Sequence, residues 1–164
     1  MSATRLRSVF SRVWPPIRSA SIPRRRAGWS APTRRPELRA LLDDYVKRVG
    51  RHTPIEVTEV RDESAAVKKL DADRAATVIL LDAEGKSFAS DAFAKWLGEL
   101  RDRGTRELIF LCGDAEGFPE GLRQRVQQRL SLSGMTFSHE LARVMLAEQL
   151  YRAFAILSGS PYPK

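Results

Sequence analysis

The sequence predicts an α/β protein built on a parallel sheet. Two runs, Thr77–Leu81 and Glu107–Cys112, are apolar almost throughout, the pattern of strands buried on both faces. Between them, Ser90–Arg103 carries Phe93, Trp96, Leu97 and Leu100 at helical spacing, so strand and helix alternate. The last third adds a pliable Ser/Gly/Thr segment, Leu130–Phe137, that runs into a long helix apolar on nearly every side.

Residues 1–35 are unlike the rest. Residues 1–36 hold nine arginines and no acidic side chain, and show no sustained period of 2 or 3.6. A transit-type leader, a basic arm for RNA, and an upstream or out-of-frame extension of the reading frame all fit such a composition. The expectation is a disordered or aberrant leader here, followed by one domain over 36–164.

From Pro36 the pattern is regular. Pro36 suits a first helical position, and Leu38, Leu41, Leu42, Tyr45, Val46 and Val49 recur at helical spacing up to Gly50. Ile55–Val60 alternates apolar and polar, as a half-buried strand does. Asp62–Leu70 reads as a short charged helix. Thr77–Leu81 is a buried strand ending in a polar loop, Asp82–Lys86. Ser90 caps the helix that Gly104 ends. Glu107–Cys112 is a second buried strand and runs into Gly113–Gly117. Pro119–Leu130 reads as a further helix. Ser138 caps the last helix, with Glu140 in its first turn. In that helix Leu141, Val144, Met145, Leu146, Leu150, Tyr151, Phe154, Ile156 and Leu157 fit no single stripe, so it needs cover on two sides. In a chain this short, a second copy across a two-fold axis is the expected second cover. Glu148 and Arg152 stand at i,i+4 and can pair. That pair either orients the helix or contributes to substrate binding.

Composition bounds the function. The 164 residues suffice for one domain with a core. The net charge of +8 misleads, because removing the nine leader arginines from 28 basic residues leaves 19 against 20 acidic ones in 37–164. Any RNA contact by the body is therefore a local patch, not a general basic field. Cys112 is the lone cysteine and the only histidines are His52 and His139, so neither a disulfide framework nor a metal site is expected. No apolar run reaches membrane-spanning length.

Ligands of open parallel sheets bind beyond the carboxyl ends of the strands. The loops after Leu81, after Cys112 and over Leu132–Phe137 emerge there, with Gly85, Gly113, Gly117 and Gly134 among them. They contain neither a G-x-G-x-x-G fingerprint nor a P-loop. No nucleophile elbow is visible. Asp82, Asp114 and Glu116 form either a carboxylate cluster or a set of solvated acids. His139 reads equally as a cap, an interface contact or a catalytic group.

The motifs are more specific than these patterns. Leu130-Ser-Leu-Ser-Gly-Met-Thr-Phe-Ser-His139, Leu141-Ala-Arg-Val144, Glu148-Gln-Leu-Tyr-Arg-Ala-Phe154 and Pro161-Tyr162 closely resemble the RlmH family, small SPOUT-class methyltransferases of pseudouridine in large-subunit (23S) ribosomal RNA. Gly113-x-x-x-Gly117, Leu81-Asp82-x-x-Gly85-Lys86 and Tyr45-x-Lys-Arg48 extend the likeness over residues 36–164. The resemblance implies a SPOUT-like sheet with helices on both faces and a C-terminal trefoil knot, a rare exception among folds. It implies a cytoplasmic homodimer that binds S-adenosyl-L-methionine in the knot, each site completed by the partner subunit. Positions matching the family's cofactor contacts are Leu81, Gly113, Leu132, Ser133, Gly134, Met135, Thr136 and Phe137. The implied reaction is methyl transfer to N3 of a pseudouridine, in free rRNA or the assembled ribosome. Arg152, Tyr162 and His139 are the candidate substrate contacts.

The chain also departs from the family. Tyr162-Pro163-Lys164 stands where members commonly end Tyr-His-Lys or Tyr-His-Arg, Asp114 where a second glycine is usual, and Ser138 where proline is usual. The family's first strand, with its Val-Gly turn, is not recognisable in 1–35, so that strand is expected to be missing. These departures raise one alternative, a dimeric relic that binds ribosome or RNA without methylating.

Overall fold

The computed structural model describes residues 17–21, 35–59, 76–113, 118, 120–126 and 128–160. Along them run β1 (Ile17–Ser21), α1 (Pro36–Val49), β2 (Ile55–Glu59), β3 (Thr77–Ser87), α2 (Ser90–Asp102), β4 (Leu108–Cys112), α3 (Glu120–Arg125), β5 (Gln128–Ser131) and α4 (His139–Leu157). Among the described residues the strands form one sheet in the order β2-β1-β4-β3-β5, and every pairing is parallel. The expected parallel α/β architecture is the one observed.

Alternation along the two central strands sorts the core. Ile79 of β3 and Leu108, Phe110 and Cys112 of β4 face Phe93, Leu97 and Leu100 of α2 and Leu146, Leu150 and Phe154 of α4. Leu80, Ile109 and Leu111 face the other way, toward Phe118, Leu122 and Val126 around α3. Helices therefore cover both faces, and both strands are apolar at every core position because neither side meets water. Leu42 of α1 closes over Val144 and Ala147 of α4.

Several expectations need correction. A strand does form in the leader: Ile17–Ser21 pairs with β2 on one side and β4 on the other. Ile-Arg-Ser-Ala-Ser lacks the apolar run of a central strand and has one β-branched residue, Ile17; its place comes from two flanking ladders. The remainder of 1–34, the helix over 62–70, and Asp114, Glu116, Gly117 and Tyr162 lie outside the described residues.

The helix expected over 119–130 is short, Glu120–Arg125, and Gln128–Ser131 is a strand. Gln and Arg favour helices in isolation, but pairing with β3 decides the outcome. The loop expected over 82–86 belongs to the same long strand, β3, which continues to Ser87. Its register against β5 jumps there: Leu81 and Lys86 both pair with Leu130, so residues 82–85 bulge out of the ladder.

The long helix is capped as expected, the Ser138 hydroxyl accepting from the Leu141 amide at 3.4 Å. Its two covers come largely from its own chain, α1 and α2. One face remains, on which Leu141 and Ile156 are exposed and Met145, Glu148 and Arg152 half-buried. Ser90 opens α2 but does not cap it; its hydroxyl donates to Gln149 Oε1 at 2.9 Å, tying α2 to α4.

Candidate functional site

At the carboxyl ends of β3, β4 and β5 the chain leaves a cavity of about 290 Å³. The switch of direction at this point is built into the strand order, since β4 and β5 flank β3 on opposite sides. Three walls enclose it. Leu81, Asp82, Ala83 and Glu84 form the first, Cys112, Gly113 and Phe118 the second, and Leu132, Ser133, Met135, Thr136 and Phe137 the third. Leu130 of β5 and His139 and Ala142 of α4 complete the lining.

The third wall holds its shape locally. Ser131 Oγ donates to the Ser133 carbonyl at 2.9 Å, and the Met135 amide donates to Ser133 Oγ at 3.0 Å. These side-chain turns are what Ser offers a loop that lacks a ladder. They fix the backbone while leaving Met135 73% exposed. Gly134 is exposed and is not among the lining residues.

The first wall is fixed by glycine and charge. A Cβ on Gly85 would stand 2.7 Å from backbone atoms of Arg129 and Leu130, so only glycine fits where the 82–85 bulge crosses β5. The Glu84 amide donates to Asp82 Oδ1 at 3.0 Å. From α3, Arg123 Nη2 reaches Asp82 Oδ2 at 3.0 Å and Glu84 Oε2 at 2.6 Å. Glu84 and then Asp82 hold that guanidinium more firmly protonated than usual. Arg129 stands at 3.9 and 3.8 Å from the same two carboxylates.

Of the residues read from the sequence, Leu81, Gly113, Leu132, Ser133, Met135, Thr136, Phe137 and His139 line this one cavity. Arg152 does not. It lies thirteen positions beyond His139 on α4, ~20 Å along the axis, and bonds Glu148 Oε1 through Nε at 3.0 Å and Nη2 at 2.6 Å. Sequence reasoning missed Glu84, Arg123, Phe118 and Ala142. Nothing in the chain order links Arg123 to Glu84, 39 positions away; only the crossover from β4 to β5 brings them together. Cys112, read as a core residue, is in the core and also borders the cavity.

The arrangement suits a flat, partly polar ligand: apolar Leu81, Leu130, Leu132 and Phe137 beside loop backbone that can donate and accept. Among the described residues, no group of His, Cys, Asp and Glu could hold a metal ion, and no helix is long and apolar enough to cross a membrane.

Comparison with known proteins gives the family and the fold. The family described as predicted SPOUT methyltransferase matches residues 30–163. Ribosomal RNA large subunit methyltransferase H of Geotalea daltonii is 38% identical over 145 residues, covering 82% of this chain and 95% of its own. The protein of the same name from Dinoroseobacter shibae is 43% identical over 137 residues, covering 76% and 88%. Among solved structures, the SpoU methyltransferase AviRb of Streptomyces viridochromogenes superposes with a TM-score of 0.51 at 13% identity, covering 98% of this chain. This chain spans 66% of the AviRb chain, and that likeness is one of fold.

Proposed function

The chain belongs to the SPOUT methyltransferase family, and we propose that it transfers a methyl group from S-adenosyl-L-methionine to N3 of a pseudouridine in large-subunit rRNA. The observation that carries the reading is the cavity: the eight residues named above, spread over β3, the residue after β4, the 132–137 loop and α4, converge on one pocket of cofactor scale. Relatives that this chain matches over nearly their full length are named as large-subunit rRNA methyltransferases, and a fold neighbour at TM-score 0.50 was solved with AdoMet bound.

The residues fit such a donor. Leu81, Leu130, Leu132 and Phe137 give apolar surface for an adenine ring, and the backbone of 132–137 gives donors and acceptors for its edge. Pinned by Ser131 and Ser133, that backbone needs little reordering on binding. When bound, the donor supplies an electrophilic methyl on a sulfonium. The rest is orientation first and proton removal second, because N3 of the base carries a proton that must leave. His139, which lines the cavity, is the lining residue assigned here to meet the base.

We infer that the working unit is a homodimer, joined through the remaining face of α4 with Leu141, Met145 and Ile156. An antiparallel meeting of two such helices brings Arg152 of one copy toward the cavity of the other. That accounts for its distance from its own pocket. We also infer that the C-terminal segment is threaded through the chain. Supporting this are the bulge at 82–85, its close contact with Arg129 and Leu130, and the placement of α3 and α4 on opposite faces around β5.

Titration of the purified protein with S-adenosyl-L-methionine, alongside sedimentation, tests the reading. Saturable binding by a species of twice the chain mass is expected; a protein that binds no donor overturns it.

A further inference from the structure

Arg48–Asp44 and Arg39–Asp43 are solvated pairs, each worth little. The group around Arg123 differs in three ways. It is a network, with two guanidinium groups around two carboxylates. It is partly withdrawn from water, the Asp82 side chain being 11% exposed and that of Arg123 27%. It also lies on the cavity: Asp82, Glu84 and Arg123 are all lining residues.

Its position matters more than its strength. Residues 82–85 have no register partner in β5, the pairing jumping from Leu81 to Lys86. They are held by the Gly85 contact at one end and the Asp82 turn at the other, with Arg123 spanning both carboxylates from α3. The helix α3 follows the second wall of the cavity, which contains Phe118. One side chain therefore joins the first wall to the helix that continues the second.

Resting on the methyl-donor reading above, we propose that Arg123 is a positioning residue: it clamps Asp82 and Glu84 so that the 81–84 wall stands at the separation the donor requires. It acts through these carboxylates and touches no reacting atom. The clamp is pre-formed, so binding does not have to order this wall. Its removal is felt in donor affinity before turnover, and the loss grows in the absence of any side chain that can bridge both acids.

The test uses the full-length protein and Arg123→Met, Arg123→Lys and Glu84→Gln. In Arg123→Met the donor dissociation constant and KM rise about three- to tenfold, by more than kcat falls, and amide hydrogen exchange quickens over 81–86 in the unliganded protein. Arg123→Lys, which keeps one point charge but not the fork, recovers part of the affinity. Should Arg123→Met fail to fold, Glu84→Gln decides, since Glu84 is 73% exposed and its loss removes one arm only. Unchanged exchange in whichever of these variants folds overturns the clamp; faster exchange with wild-type donor affinity overturns its role in positioning. A wild-type protein silent toward the donor overturns the underlying reading and with it the positioning role, whereas the exchange result still decides the clamp.

Discussion

Gly85 and Leu130 meet backbone to backbone: a Cβ on Gly85 would stand 2.7 Å from both the amide nitrogen and the carbonyl carbon of Leu130. Neither group is a flexible side-chain end that can swing aside. The bulge over 82–85 and strand β5 are thus held in contact by the absence of a single methyl.

Gly85→Ala should therefore destabilise the fold by about 2–3 kcal/mol, lowering the melting temperature by ~5–10 °C for a chain of this size. Gly134→Ala is the control. A Cβ there meets nothing within 4 Å, and its melting temperature stays within about 2 °C of the parent. Thermal melts of the two variants side by side check the contrast.

Ala142 borders the cavity from the first turns of α4. Ala142→Phe puts a ring into a space of about 290 Å³. Donor affinity should fall tenfold or more, ~1.4 kcal/mol at least, while the melting temperature changes little because the ring enters open volume. Calorimetry with S-adenosyl-L-methionine reads the first effect and a melt the second. Wild-type affinity in this variant would move the donor site elsewhere.

His52 links stability to pH. Its ring stacks on Phe154 at 5.7 Å and tilts against Tyr151 at 6.1 Å. Burial, and then the nearby Arg51 charge, hold its pKa below the ordinary value of 6.5. The unfolded chain thus takes up the proton first. The stabilising contribution is complete above the unfolded value and is lost as pH falls through the folded one. Urea midpoints should decline from pH 7.5 to pH 5.5 more steeply in the parent than in His52→Phe.

How much of this was legible in the sequence depends on where the signal lies. Ile79, Leu80, Phe110 and Leu111 announce their strands because burial on both faces demands apolar side chains at each position. Ser138 announces its helix because a cap is a local bond. The loop over 132–137 was found from its motif. Ile17–Ser21 and Gln128–Ser131 escaped because their strand character is conferred by neighbours distant in the chain. Arg123 escaped for the same reason: its partners come from another crossover.

A variant at Arg152 tests the proposed substrate contact apart from donor binding. Glu148 keeps a hydrogen bond from Gln149 Nε2 at 2.6 Å when the arginine is removed, so the helix surface survives the change. Arg152→Ala should leave donor affinity within about twofold and lower methyl transfer to RNA about ten- to a hundredfold, ~1.4–2.8 kcal/mol of transition-state stabilisation. Equal activity would reduce Arg152 to a surface partner of Glu148.

The most direct measurement adds the purified protein and labelled S-adenosyl-L-methionine to ribosomes that lack the modification, followed by nucleoside analysis of the large-subunit rRNA. Label recovered in one nucleoside, pseudouridine methylated at N3, is the predicted result. Label absent from the rRNA despite donor binding, or found on a ribose or another base, would contradict the account.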